Sequence, residues 1–460
     1  MRSLRERWAS LSSGQRHLAI ELFAIPAGVV LAAFLVYHFV VHTIRNPRPL
    51  GGPNVVVTAG SAQGSELSFA ADPRRPGVLF GSSEALQVWL SRDDGRRWER
   101  SGGPSGVCGI GWPRSVVAPD GREVLAFVAE QPCGMDVLTY LAVTSRDGPT
   151  GRWSRPVRVA PRAWKWGFDD APDLAADPRN GRLYAAWSRN LDAKRSTVVT
   201  STSDDGGRTW SAPRPVSAQL EFPHRARIAV APDGTVYAAG IDVRFGLWVS
   251  RSTDGGRSFG TPRRAAPLAS NPARWCGLTG FTPIPNEMKT CAGPDPSLLV
   301  TRKRVFVVYQ DAAPNGSQDV LVAALDRSLR PLFRTRVEPP DQGATDQFRP
   351  AAAVDPDTDV LWACWYDTTF DPHAHRSWFT CAASRDGRTW TPPERASAVP
   401  SPTDDVYYYS VKPGLYASVA AAHGVAHVFW MDSHAIEAGA DAYTATLSER
   451  AAFSRPRTAR

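Results

Sequence analysis

The stretch SDDGGRTW at residues 203–210, which follows the extended run RSTVVTST, decides how the rest of the chain is read. The same order of Ser, Asp, Gly and an aromatic returns as SRDDGRRW at 91–98 and STDGGRSF at 252–259. SRDGRTW at 384–390 is one residue shorter, and SRDGPTGRW at 145–153 is one residue longer. An Asp in such a turn accepts hydrogen bonds from the turn's own backbone, and Gly supplies a positive φ. The aromatic is then free to turn inward and fill space between neighbouring sheets. These residues do structural work, and five occurrences at similar places relative to a strand make a repeat.

A second phrase marks where each unit begins. SFAADPRRPGVLF, SVVAPDGREVLAF, DLAADPRNGRLYAAW, RIAVAPDGTVYAAG and AAAVDPDTDVLWACW each read as a small-residue strand, a Pro/Asp/Gly turn and a second strand. SLLVTRKRVFVVYQD keeps the hairpin but has lost its aromatic turn near Asp326, and YASVAAAHGVAHVFWMD forms a last unit without one. That makes seven hairpin starts. Small residues suit the crowded inner strand of a β-propeller blade. The last unit supplies three strands, ending with DAYTATL, while NVVVTAG at 54–60 has no other partner. Pairing the two closes the ring and removes an open sheet edge. The expectation is an all-β propeller of seven four-stranded blades over residues 54–449, preceded by one transmembrane helix.

The recurring turn resembles the Asp-box, or bacterial neuraminidase repeat, of the sialidase superfamily and related β-propellers. The resemblance covers residues 55–449 and implies a fold more directly than an activity. Because sialidases have six blades, six is the alternative count. As a family, sialidases clamp the substrate carboxylate with three arginines, use a Tyr activated by a Glu as nucleophile, and an Asp as acid/base. Phe348-Arg349-Pro350 is similar to the family's Phe/Tyr-Arg-Ile-Pro, and Tyr416-Ala417-Ser418-Val419 to its last-blade Tyr-Ser segment. The resemblance therefore implies Tyr416 as nucleophile, Arg114, Arg225 and Arg349 as carboxylate clamps, and Asp173 or Asp367 as the acid. A planar guanidinium suits a carboxylate because its fork makes two parallel hydrogen bonds.

Strand parity sorts the loops. In a four-stranded meander, the loop entering strand 1 and the loop leaving strand 2 share one rim, and the loop after strand 3 lies on the other. The aromatic turns therefore fall on a scaffold rim. The opposite rim receives Glu66, Arg114, Asp173, Arg225, Asp295, Arg349 and Tyr416 at first-strand entrances, with Asp311, Asp367 and Asp432 at second-strand exits. It also carries the longest loop, around 271–294.

The ends of the chain carry a separate message. Of 460 residues, 43% are hydrophobic and 21% charged, which excludes a mainly disordered chain. Residues 1–50 hold six arginines and two glutamates, and 450–460 four arginines and no acid; each end is +4, so the body of this +8 chain sums to zero. A nucleic-acid partner, which needs a concentrated basic patch, is not expected. Residues 22–41, LFAIPAGVVLAAFLVYHFVV, contain no Asp, Glu, Lys or Arg, and twenty helical residues span roughly 30 Å. Arg2, Arg5, Arg7 and Arg16 precede the run, which puts the N-terminus (1–21) in the cytoplasm and the propeller outside. Residues 42–53 read as a stalk and 450–460 as a basic tail.

Six cysteines agree with an oxidising side. Cys364 and Cys381 lie equidistant from a hairpin tip near His373, where a cross-strand disulfide fits. Cys108/Cys133 and Cys276/Cys291 are the neighbours by order among fifteen possible pairings. Trp164, Trp166, Tyr407, Tyr408 and Tyr409 could stack on sugars or pack between blades. His373-Ala374-His375 lacks a third ligand, so no metal or other cofactor is expected. Two functions stay open: a membrane-anchored glycoside hydrolase acting on extracellular glycans, and a non-catalytic propeller binding a glycan, peptide or envelope protein.

Overall fold

The computed structural model describes residues 54–58, 66–83, 85–130, 139–160, 169–191, 196–216, 220, 223–242, 244–269, 282–283, 291–292, 295–338, 345–371, 376–402, 417–432 and 441–454. The cytoplasmic segment, apolar run and stalk expected over 1–53 lie outside the described residues. So do Cys133, Cys276, His373, His375, Trp164, Trp166, Tyr407, Tyr408, Tyr409 and Tyr416. Among the described residues, no helix is long and apolar enough to cross a membrane.

Seven antiparallel sheets are built as consecutive meanders. Blades 1 to 6 occupy residues 67–101, 108–158, 169–215, 223–266, 297–336 and 347–395. Blade 7 takes Ser418–Ala422, Val425–Asp432 and Asp441–Ser448, and its outer strand is Val55–Val56. Val55 pairs with Thr444 and Val56 with Tyr443. The Thr58 hydroxyl strengthens this closure by donating to Asp441 at 2.7 Å and accepting from the Ala442 N–H at 2.9 Å. The ring is thus closed by the N-terminal strand, as the unpaired NVVVTAG predicts, and the blade count is seven rather than six.

The core shows why the ring holds. Buried apolar side chains fall into seven clusters, and each spans one pair of neighbouring blades. An open array of seven blades would have six such interfaces, so the seventh, joining Phe69 of blade 1 to Phe429 of blade 7, marks the closure. Within a strand the two faces serve different neighbours. In blade 3, Ala185 and Trp187 pack towards blade 2, while Tyr184 and Ala186 pack towards blade 4. That is the period of two of a β-strand applied to a layer covered on both sides.

The aromatic turns behave as their residues dictate. In the turn at 203–210, the Ser203 hydroxyl donates to Asp205 at 2.8 Å and accepts the Gly207 N–H at 2.9 Å. Asp205 also accepts the Thr209 N–H at 2.9 Å, and the Trp210 ring N–H reaches the Gly207 carbonyl at 3.1 Å. Gly207 has φ 91°. The shortened turn keeps the same bonds from Ser384, Asp386 and Trp390. Desolvation pushes the Asp205 and Asp254 carboxyls up, but hydrogen bonds of this kind, at Asp254 from Ser252 and Ser258, hold both down at about 2. In the lengthened turn Ser145 instead donates to the Gly206 carbonyl of the next blade. Blade 5, which lacks the aromatic, builds its turn on Asp326, which accepts the Ser328 and Arg330 N–H groups.

Cys364 and Cys381 are directly opposed in register and form the expected cross-strand disulfide. Cys108 is disulfide-bonded as well. The expected tail begins as a helix, Glu449–Ser454, with Ala452 and Phe453 packed on the blade 6–7 core and the Arg385 guanidinium 3.8 Å over the Phe453 ring. Ala452 and Phe453 give that segment an apolar side to bury, which its net charge conceals.

Candidate functional site

Each blade's first strand runs closest to the axis, so what enters there meets its counterparts from the other blades. Four of these strands are interrupted in the same way. Pairing with the second strand shifts between Gly111 and Arg114, Asp170 and Asp173, His224 and Arg227, and Phe348 and Ala351. At each shift one residue other than glycine has a positive φ: Trp112 (50°), Ala171 (46°), Arg225 (57°) and Arg349 (51°). A β-bulge re-aims side chains, and left-handed backbone at a residue with a Cβ is held only where the surroundings impose it. The sequence signature is a residue followed by Pro or Ala: Trp112-Pro113-Arg114, Ala171-Pro172-Asp173, Arg225-Ala226-Arg227 and Arg349-Pro350-Ala351.

The bulges surround an axial cavity of about 250 Å³. All seven first-strand segments line it, from Ser68, Arg114, Asp173, Arg227, Asp295, Arg349 and Ser418. The inner positions also staple neighbouring blades. Ser68 Oγ accepts the Ser115 N–H at 2.8 Å, Asp173 Oδ2 the Ile228 N–H at 2.8 Å, and Ser418 Oγ the Phe69 N–H at 3.0 Å. Asp173 therefore stands where two other blades use serine, and its second oxygen lies towards Arg114.

Charges alternate around the axis from blade 2 to blade 6: Arg114, Asp173, Arg227, Asp295, Arg349. Arg114 Nε lies 3.5 Å from Asp173 Oδ1, with side-chain exposures of 15% and 17%. Arg227 pairs with Asp295 and donates to the Pro296 carbonyl at 2.6 Å and the Ala226 carbonyl at 2.8 Å. Arg349 is fixed through its backbone, whose N–H donates to Gln310 Oε1 at 2.8 Å. Burial pushes both aspartates up. At Asp295 the guanidinium groups of Arg227, Arg225, Arg114 and Arg349 outweigh burial and hold the carboxyl low. At Asp173, Arg227 and Arg114 do not outweigh it, and the carboxyl stays raised. Asp170, on the same strand, is also raised by burial, opposed first by Arg225.

The residues singled out from sequence divide as follows. Arg114, Asp173 and Arg349 line the cavity together. Arg225 acts on Asp170 and Asp295 from outside the lining, and Arg227, which sequence reasoning missed, takes the third arginine place. Aligning the four bulge signatures would have found it, because Arg227 occupies the position of Arg114 and Asp173. Asp367 ends the second strand of blade 6, is 3% exposed, and does not line the cavity. It accepts the Thr369 N–H at 2.9 Å and its charge helps raise Glu338, whose burial is the main cause. Tyr416 lies outside the described residues. Among the described residues, no group of three or more His, Cys, Asp and Glu is placed to hold a metal ion.

No family model and no curated protein matches the chain. Among solved structures, it is similar to the Hadza microbial sialidase Hz136 at 16% identity and TM-score 0.45, over 82% of this chain and 74% of that one. The NanB sialidase from Streptococcus pneumoniae is similar at 7% identity and TM-score 0.45, over 82% and 84%. A leech intramolecular trans-sialidase is similar at 10% identity and TM-score 0.45, with the same coverage.

Proposed function

We propose that the chain is a membrane-anchored, outward-facing sialidase-like propeller whose axial pocket receives the carboxylate of an acidic glycan. The observation that carries this reading is the convergence of Arg114, Arg227 and Arg349, from three different blades, on one cavity. Three arginines against two aspartates leave the lining with one net positive charge, which matches a single carboxylate. The cavity is smaller than the roughly 300–1,000 Å³ of sites for drug-sized ligands, and it suits one sugar residue at a chain end. The apolar run at 22–41, the arginines before it and the Cys364–Cys381 disulfide support an anchored chain facing an oxidising compartment.

The test is calorimetric titration of the full-length chain, in mild detergent, with N-acetylneuraminate, glucuronate and galacturonate, and with glucose as the uncharged control. Binding of an acidic sugar that is lost in Arg349→Ala supports the reading. Equal binding of glucose, or no binding of any acid, sinks it.

Hydrolysis is the second reading, favoured by the raised carboxyl of Asp173 inside the same pocket. A carboxyl that keeps its proton nearer neutrality can protonate a glycosidic oxygen as the bond breaks. In this reading Tyr416 is the nucleophile. Turnover of a fluorogenic sialoside that disappears in Asp173→Ala and in Tyr416→Phe would establish it; turnover that survives both removes these residues from the chemistry.

A further inference from the structure

We propose that Asp173 is a proton-operated latch on Arg114, so that the axial pocket takes up its anion together with a proton and binds more tightly as the pH falls. The inference rests on the anion-binding reading above and adds its regulation.

The geometry assigns the two oxygens of Asp173 different tasks. Oδ2 accepts the Ile228 N–H of the next blade at 2.8 Å, a contact that a neutral side chain also makes, as Ser68 and Ser418 do in their blades. Oδ1 faces Arg114 Nε at 3.5 Å, across the wall of the cavity. As a carboxylate, Asp173 is a built-in competitor for the guanidinium that an incoming anion would use. Protonation removes that competitor without removing the staple, and raises the net charge of the lining from one to two.

The charged groups acting on Asp173 are Arg227 from blade 4 and Arg114 from blade 2. Asp295 cannot play the same part, because Arg227, Arg225, Arg114 and Arg349 together keep it ionised. Burial in turn favours the protonated form of Asp173. An anion bound beside it adds negative charge and favours the proton further, so ligand and proton each strengthen the other's binding.

The experiment is calorimetry of the full-length chain with the acidic sugar that binds best, from pH 8 to pH 5, in buffers of different ionisation enthalpy. The expected result is net proton uptake on binding and an affinity that rises towards acid, by at most about tenfold per pH unit for one proton. In Asp173→Asn, which keeps an acceptor for the Ile228 N–H, affinity at pH 8 should rise and the pH dependence should vanish. Asp170→Asn should keep it. Binding without proton uptake overturns the latch while leaving the anion reading intact. An affinity that falls towards acid does the same, as does a pH dependence that survives Asp173→Asn or disappears in Asp170→Asn. No binding at any pH overturns both. The proton-uptake measurement uses the unaltered chain, so it decides the matter even where a variant fails to fold.

Discussion

The two rims of the propeller both display arginines and differ in what those arginines line. On the turn rim several guanidinium groups end on a neighbouring blade. Arg74 donates to the Asp120 carbonyl at 2.6 Å, Arg179 to the Asp233 carbonyl at 2.6 Å, and Arg302 to the Pro356 carbonyl at 2.9 Å, each in the next blade. Arg327 reaches back from blade 5 to Asp233 of blade 4 at 2.8 Å. On the axial rim Arg114, Arg227 and Arg349 line a cavity, and Arg227 also donates to the Pro296 carbonyl of blade 5. A guanidinium that only bridges blades is part of the scaffold; one that also lines a cavity stands beside whatever enters it. Residue type and charge are the same on both rims, and only placement separates them.

The hardest way to break this contrast is to break the ring that carries both rims. Trp187 is fully buried between blades 2 and 3, and Trp187→Ala should cost about 3–5 kcal/mol, measured by chemical denaturation. Binding and stability should fall together, because neither rim exists without the interface.

Acid should strike one rim first. His427, 3% exposed at the junction of blades 7 and 1, is pushed down by burial to about 4, with Asp94 opposing weakly. Its neutral ring meets the Thr446 hydroxyl at 3.3 Å. Unfolded histidine takes its proton near pH 6.5, so between there and about 4 the unfolded chain binds more protons than the folded one. Stability present above pH 6.5 is therefore lost as the pH falls, by about 3 kcal/mol in all. His427→Gln should flatten that part of the stability profile. An unchanged profile would show that the ring tolerates a charged imidazole there.

On the axial rim the expected effect is on ligand rather than on fold. Arg349→Ala should weaken binding of an acidic sugar by about tenfold or more, since a hydrogen bond to a charged group is worth roughly 1.5–3 kcal/mol. Its melting temperature should stay close to that of the unaltered chain. A large loss of stability instead would place Arg349 with the scaffold arginines. The mildest change belongs to the turn rim. Arg97, in the turn at 91–98, is 92% exposed and lies 4.0 Å from Asp93, and Arg97→Ala should leave both sugar binding and the melting temperature nearly unchanged, as solvent screens such pairs.

Most of the fold was legible because it is written locally and repeated. A turn of Ser, Asp, Gly and an aromatic needs no distant partner to form, and a strand with no neighbour in order has to pair somewhere. The site was legible only in part. Parity placed Arg114, Asp173 and Arg349 on the axial rim, and they do meet there. It pointed to Arg225 and passed over Arg227, two residues on and on the same side of a regular strand; the cavity takes Arg227 instead, from a strand interrupted by a bulge at Arg225. It also put Asp367 on that rim without saying how far from the axis. Asp367 belongs to a second strand, one strand spacing further out, where it meets Gln347 rather than the cavity.

By itself, the order of residues determined the hairpins, the turns, the seven-fold repeat and the rim to which each loop belongs, since all of these follow from local backbone preferences and a period of two. Only the tertiary structure decided which charged side chains share a cavity and which of them are already paired. That depends on blades distant in sequence arriving at one axis, and on bulges whose left-handed residues are held in place by their neighbours alone.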